Sequence, residues 1–124
     1  ANRAANSSYD WHVYRFALWN QDGQVEFENR PFSTSSRVAE STPGNETVPA
    51  ITLRTLIEKI GTPSIDILKV DIEGAEEKAL TGCEELLGRV QNLIVEIHPY
   101  ACDQQRVVST LRNSSRNLAL KLSL

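Results

Sequence analysis

Residues 65–76 have the sequence IDILKVDIEGAE, a largely apolar run that leads into an acidic turn with one glycine. The run Ile65 to Val70 predicts a buried strand, and residues Glu76 to Leu87 predict a helix after the turn. When a helix follows a parallel strand, the last residues of the strand lie at the carboxyl edge of the sheet, where open α/β folds bind ligands. We therefore expect Asp71 and Glu73 at a ligand-binding edge.

A second buried strand is predicted after this helix. Residues 93–98 have the sequence LIVEIH and are followed by Pro99. A strand, a helix and a strand within about thirty residues form a βαβ unit, whose right-handed crossover makes the two strands parallel. Because strand side chains alternate between faces, Glu96 and His98 share a face, and we expect both near Asp71.

Each of these residues has a functional and a structural interpretation. Asp71 and Glu73 could bind a substrate, a cofactor or a divalent cation, or simply offset the positive end of the helix dipole. Glu96 lies in an apolar strand, so it needs a partner or a place at the end of the sheet. His98 is a candidate general base, although a histidine at a strand end can be purely structural. Gly74 is expected to let the turn pass close to a ligand or a neighbouring strand.

Length and composition narrow the class of protein. The 124 residues suit a single domain, and a net charge of −3 gives no electrostatic basis for binding nucleic acid. Cys83 and Cys102 form no Cys-x-x-Cys pair, so we expect free thiols and assign no metal ligands. Residues 1–10 are polar and no long apolar run follows, so we expect a soluble cytoplasmic protein that does not contact a membrane.

The first half of the chain has the pattern of strands and loops. His12 to Trp19 and Gln24 to Glu28 predict two strands joined as a hairpin through Asp22-Gly23. Residues 32–49 predict a long loop with one edge strand near residues 37–40. Ser35 and Ser36 in this loop are candidate substrate contacts, although a serine-rich loop is usually only solvated.

The remaining elements are predicted from caps and spacing. Apolar residues three and four apart predict a helix that begins after Thr52 and ends at Gly61. Asp103 is placed to cap another helix through Leu111. Leucines at every second position from Leu118 to Leu124 predict a final half-buried strand.

Short motifs occur in a fixed order between residue 13 and about residue 100. They are Phe16-Ala17-Leu18 with Asp22-Gly23, Ser35-Ser36, Thr52-Leu53-x-x-Leu56, Leu68 to Glu76, Leu80-x-Gly82 and Val95 to His98. Together they resemble the FkbM family of S-adenosylmethionine-dependent methyltransferases. The Lys-Val-Asp-x-Glu-Gly-Ala-Glu block is the most specific of them, and the others add weight through their order.

The resemblance implies a Rossmann-like α/β fold with a mixed sheet flanked by helices. It implies methylation of a hydroxyl on a sugar or small metabolite, with S-adenosylmethionine as cofactor. The residues it implies for catalysis are Asp71, Glu73, Glu96 and His98, and those for the cofactor are Ala17, Leu18 and Asp71.

The resemblance begins at the third strand of such a domain. The two preceding strands, with their glycine-rich cofactor loop, have no counterpart, so residues 1–124 correspond to the carboxyl-terminal two-thirds of the domain. We expect the edge of Ile65 to Val70 to be unpaired, and three arrangements would cover it: pairing with residues 12–19, a homodimer, or a partner that supplies the missing half.

A second hypothesis is a non-catalytic α/β module used for oligomerisation or binding. The lack of a cofactor loop favours this alternative. Stabilisation by cofactor would distinguish the enzyme from the module.

Overall fold

The computed structural model describes residues 8–27, 38–39, 46–114 and 117–123, which contain seven strands and four helices. The strands are β1 (Ala17–Leu18), β2 (Gly23–Phe27), β3 (Val38–Ala39), β4 (Glu46–Ile51), β5 (Ile65–Val70), β6 (Val90–Ile97) and β7 (Asn117–Leu122). The helices are α1 (Leu53–Ile60), α2 (Glu76–Leu80), α3 (Glu84–Leu87) and α4 (Gln104–Arg112). No helix in these ranges is long and apolar enough to cross a membrane.

A parallel sheet of order β5-β6-β7 forms the centre of the fold. The predicted βαβ unit is confirmed, since β5 and β6 are parallel neighbours with Leu68 opposite Leu93. The predicted final strand is also confirmed, as β7, but it is not half-buried as predicted, since Leu120 is 37% and Leu122 is 42% exposed. Leu93, Val95 and Ile97 are buried on one face of β6, where they join a core with apolar residues of α2, α3 and α4. Because strand side chains alternate, Ile94 and Glu96 lie on the opposite face of β6.

The second sheet has the order β1-β4-β2-β3 and corrects two predictions. The predicted hairpin is wrong, because β4 lies between β1 and β2 and pairs with both. The predicted loop over residues 32–49 ends earlier than expected, because β4 begins at Glu46. Pro49 is tolerated in β4 because β1 pairs only with Ala50 and Ile51, so Pro49 has a strand neighbour on the β2 side alone. The fold is α/β, with one mixed and one parallel sheet instead of a single mixed sheet.

Helix α1 has the caps that the sequence predicts. The Thr52 hydroxyl accepts a hydrogen bond from the Thr55 N–H at 3.1 Å, and Gly61 ends the helix with φ of 75°. Asp22 adds a second cap, because its carboxylate accepts from the Thr52 N–H at 2.9 Å and the Thr55 hydroxyl at 2.8 Å. The Thr52 N–H is the main reason that the pKa of Asp22 lies below its ordinary value.

The predicted helix over Glu76 to Leu87 is two short helices, α2 and α3. Thr81 is extended and Gly82 has φ of 80°, so the chain turns between them. Glycine adopts this left-handed conformation without the steric cost of a Cβ, which is why the helix breaks there. The predicted cap of α4 is confirmed, with the Asp103 carboxylate accepting from the Arg106 N–H at 3.1 Å.

The outer edge of β5 is open. Within the described ranges β5 pairs with β6 alone, and β1, the candidate to cover this edge, pairs with β4 instead. The sheet face opposite the core is also accessible, with Ile67 63% and Ile94 42% exposed. Parallel sheets are usually covered on both faces, so this face has the character of a surface that packs against another layer.

Candidate active site at the carboxyl edge of the parallel sheet

Carboxylates from two adjacent strand ends meet at His98. Asp71 follows β5 and His98 follows β6, and Asp71 Oδ1 lies 3.9 Å from His98 Nε2. Glu73 Oε2 lies 3.4 Å from the same nitrogen. A carboxylate oxygen of Glu96, on β6, lies within 4.8 Å of an oxygen of Asp71 and a ring nitrogen of His98. The structure thus brings together all four residues that the sequence predicted for this edge, and we call them the acid-histidine cluster.

Glu76 completes the site, and the sequence predicted it only as the start of a helix. Its side chain is 0% exposed, and its Oε1 lies 2.8 Å from His98 Nδ1. The same carboxylate accepts a hydrogen bond from the Gly74 N–H at 3.1 Å and one from the Cys102 thiol at 3.7 Å. A buried histidine requires a partner, and a glutamate three residues beyond Glu73 in the same turn was the available signal.

The contact with Glu76 orients the imidazole. A carboxylate accepts hydrogen bonds, so this contact favours the neutral tautomer of His98 that carries its proton on Nδ1 and donates to Glu76. The lone pair of Nε2 then faces Glu73 and Asp71, which are acceptors as well. Of the two ring nitrogens, Nε2 is therefore the one that faces the partly exposed carboxylates of the cluster.

The turn after β5 and the turn after β6 contact each other next to the cluster. Glu73 has φ of 52° and Gly74 has φ of 104°, both in the left-handed region. A Cβ at position 74 would collide with the Cβ of Ala101, so the close approach expected at Gly74 is made to the turn after β6 instead of to a strand. Across the same junction the Tyr100 hydroxyl donates to Glu73 at 3.4 Å, and the Tyr100 ring packs edge-on against His98 with centroids 5.8 Å apart. The contacts between these two turns therefore hold Glu73 and His98 in position relative to each other.

Two lysines balance part of the negative charge. Lys121 Nζ lies 3.1 Å from Glu96 Oε1, and Lys69 Nζ lies 3.8 Å from Asp71 Oδ2. The hydrogen bond from Lys121 is the main reason that the pKa of Glu96 lies below its ordinary value. A lowered pKa makes Glu96 a weaker proton acceptor.

Among the described residues, Asp71, Glu96 and His98 form a group that could hold a metal ion. Their ligand atoms lie within 4.8 Å of one another and combine two carboxylates with one imidazole. A metal ion here would have to compete with Lys121 for Glu96.

Cys102 is expected to react slowly in the folded protein. Burial, followed by the nearby Glu76 carboxylate, raises the pKa of its thiol to about 11 from 9.0. In a Cys83→Ala variant, which keeps this thiol alone, alkylation by iodoacetamide at about pH 8 should be roughly 100-fold slower than after unfolding in urea. Because the folded state keeps a proton that the unfolded state has lost, folding stability should also fall as pH rises from 9 towards 11. Equal alkylation rates in both states would contradict this environment for Cys102.

The other predicted site residues lie elsewhere. Ala17 is buried and Leu18 packs against the core, both in β1 of the four-stranded sheet. Their predicted contact with the cofactor stays a prediction. Ser35 and Ser36 lie outside the described residues.

Comparison with known proteins connects the sequence of this chain to one family. The family model described as the methyltransferase FkbM domain matches residues 7–118. The chain is also similar to AglP of Haloferax volcanii, a hexuronic acid methyltransferase, with 34% identity over 84 residues. That alignment covers 68% of this chain and 35% of AglP, so the matched part spans about a third of the relative. No solved structure matches the chain.

Proposed function

This chain belongs to the methyltransferase FkbM domain family, and we propose that it acts in transferring a methyl group from S-adenosylmethionine to a hydroxyl oxygen. The observation that carries the proposal is the buried His98, whose Nδ1 is held by Glu76 and whose Nε2 faces the carboxylates of the cluster. We further propose a sugar or another small metabolite as methyl acceptor. The name of the relative, a hexuronic acid methyltransferase, supports this class of acceptor.

The chemistry needs a base and good alignment. S-adenosylmethionine, when bound, supplies an electrophilic methyl on a sulfonium. As the hydroxyl oxygen forms its bond to carbon and the bond from carbon to sulfur breaks, His98 Nε2 takes the hydroxyl proton. Glu76 holds the ring in orientation and stabilises the charge that the ring gains. The products are a methyl ether and S-adenosylhomocysteine, with one proton on His98.

The exposed carboxylates of the cluster suit the positively charged end of the cofactor. The side chains of Asp71 and Glu73 are 33% and 29% exposed, so a ligand at the sheet edge can reach them. They would hold the sulfonium or the amino group by opposite charge. The glycines of the chain form no Gly-x-Gly-x-x-Gly motif that could hold the rest of the cofactor. For the adenine we propose Ala17 and Leu18, on the family resemblance.

A non-catalytic module is the second candidate, and the open edge of β5 favours it. Ile67 and Ile94 are exposed on the same sheet, and an unpaired edge of this kind can pair with another copy of the chain. In this case the chain would form a homodimer without binding cofactor.

The test is calorimetric titration of S-adenosylhomocysteine into the 124-residue protein, with light scattering for its mass. We expect binding in the micromolar range, weakened by roughly tenfold in Asp71→Asn because a charged contact is lost. Asp66→Asn is the matched control, since Asp66 is exposed at the start of the same strand. If the protein is a folded dimer that does not bind S-adenosylhomocysteine, the enzyme hypothesis is rejected and the non-catalytic module is supported.

A further inference from the structure

A second candidate site lies away from the acid-histidine cluster. A pocket of about 230 Å³ opens between the start of α1, the turn from α2 to α3 and the residues after β1. A neighbouring hollow of about 190 Å³ shares three of its lining residues, namely Asn20, Lys78 and Thr81. The two hollows are therefore adjacent, and together we call them the Trp19 pocket.

Thr81 is a lining residue of both hollows. Its Oγ1 is buried, and within the described residues it makes no hydrogen bond. Buried hydroxyls are normally paired, because leaving one unpaired costs the free energy of its lost hydration. Because this oxygen is closed to solvent, it can donate to a ligand in the pocket only when the Thr81 side chain rotates and brings it to the pocket surface.

Three cations and one acid line the pocket: Arg54, Lys78, Arg106 and Glu77. Arg54 and Lys78 are exposed, and the ion pairs of the described residues involve neither of them. The acid next to Lys78 along the chain is already engaged: Glu77 accepts from the Asp103 N–H at 2.8 Å and faces Arg106 at 3.7 Å. The positive charges of Arg54 and Lys78 are thus available to a negatively charged ligand.

The rest of the lining suits a compact ring. The indole of Trp19 is half-buried in the wall, and the buried side chains of Ala79 and Leu86 contribute an apolar surface. Small-molecule sites typically combine such apolar surface with a few convergent polar groups. We propose that the Trp19 pocket binds a sugar-sized ligand carrying an oxyanion, either a carboxylate or a phosphate. Arg54 and Lys78 bind the oxyanion, Thr81 donates a hydrogen bond, and Trp19 packs against the ring.

The test compares three sugars that differ in charge. D-glucuronate, glucose 6-phosphate and neutral glucose are titrated into the full 124-residue protein and followed by NMR. We expect at least one anionic sugar to bind about tenfold or more tightly than glucose, and the tighter one identifies the oxyanion. Arg54→Gln and Lys78→Gln should each weaken binding by roughly fivefold. Arg89→Gln should not, because Arg89 is paired with Glu85 outside the pocket.

Thr81→Val separates a binding role from a structural one. Removing an unpaired hydroxyl should raise Tm, while the loss of its hydrogen bond to the ligand should weaken anionic sugar binding. A raised Tm with unchanged affinity would overturn the role of Thr81. Equal affinities for all three sugars, or no binding by the folded protein, would overturn the site. Asp71→Asn should leave the affinity unchanged, and a loss there would move the ligand to the acid-histidine cluster and reject the Trp19 pocket.

Discussion

Replacing Glu76 with alanine is expected to lower the free energy of unfolding by about 3 kcal/mol, because breaking a buried pair leaves its other member without compensation. His98 Nδ1 loses an acceptor at 2.8 Å, and the Gly74 N–H and the Cys102 thiol lose theirs. Urea denaturation followed by fluorescence measures the change. Glu85→Ala is the matched control, because Glu85 is an exposed glutamate in a surface ion pair and should change stability by less than about 1 kcal/mol.

Glu76→Gln is a milder substitution at the same position. Glutamine keeps the size of the side chain and an oxygen acceptor, so we expect a smaller loss than in Glu76→Ala. If the alanine variant were as stable as the Glu85→Ala control, the buried pair with His98 would not hold the turn together.

Gly74→Ala is the second substitution with a large expected effect, a loss of about 3 kcal/mol in the free energy of unfolding. Gly74 has φ of 104°, where side-chain-bearing residues are strained, and a Cβ there collides with the Cβ of Ala101. Gly82→Ala is the matched control: Gly82 has φ of 80° but no atom within 4 Å of its Cβ position. Gly82→Ala should therefore lower the free energy of unfolding by only about 1 kcal/mol, the cost of placing a residue with a side chain in the left-handed region.

The collision can be isolated by a double substitution. Ala101→Gly removes the side chain that the new Cβ would meet. The double variant with Gly74→Ala and Ala101→Gly should therefore recover part of the lost free energy of unfolding, and the coupling between the two positions measures the contact. If Gly74→Ala and Gly82→Ala lowered the free energy of unfolding equally, the cost at position 74 would come from its backbone conformation alone and not from the contact with Ala101.

The sequence predicted the parts of the fold that depend on local patterns. The βαβ unit follows from apolar alternation in β6, and α1 and α4 follow from the caps Thr52 and Asp103. Asp71 and His98 could be placed together because parallel strands end at the same edge of a sheet. These predictions needed no information on distant contacts.

The parts that were missed depend on contacts between distant residues. Asp22 was predicted as a turn residue, but it caps a helix 30 residues away through Thr52. Strand β4 contains Pro49 and forms because it has partners on both sides, which its own composition does not indicate. Glu76 and His98 are 22 residues apart, and their contact depends on how α2 packs against the end of β6.

The most direct test of this account is the tautomer of His98. A His12→Ala variant leaves a single imidazole in the chain, and a long-range proton-nitrogen NMR spectrum at about pH 8 reports which ring nitrogen carries the proton. We predict a proton on Nδ1 and a free Nε2, with this preference lost in the same variant carrying Glu76→Ala. A proton on Nε2 in the variant with Glu76 intact would contradict the proposed base.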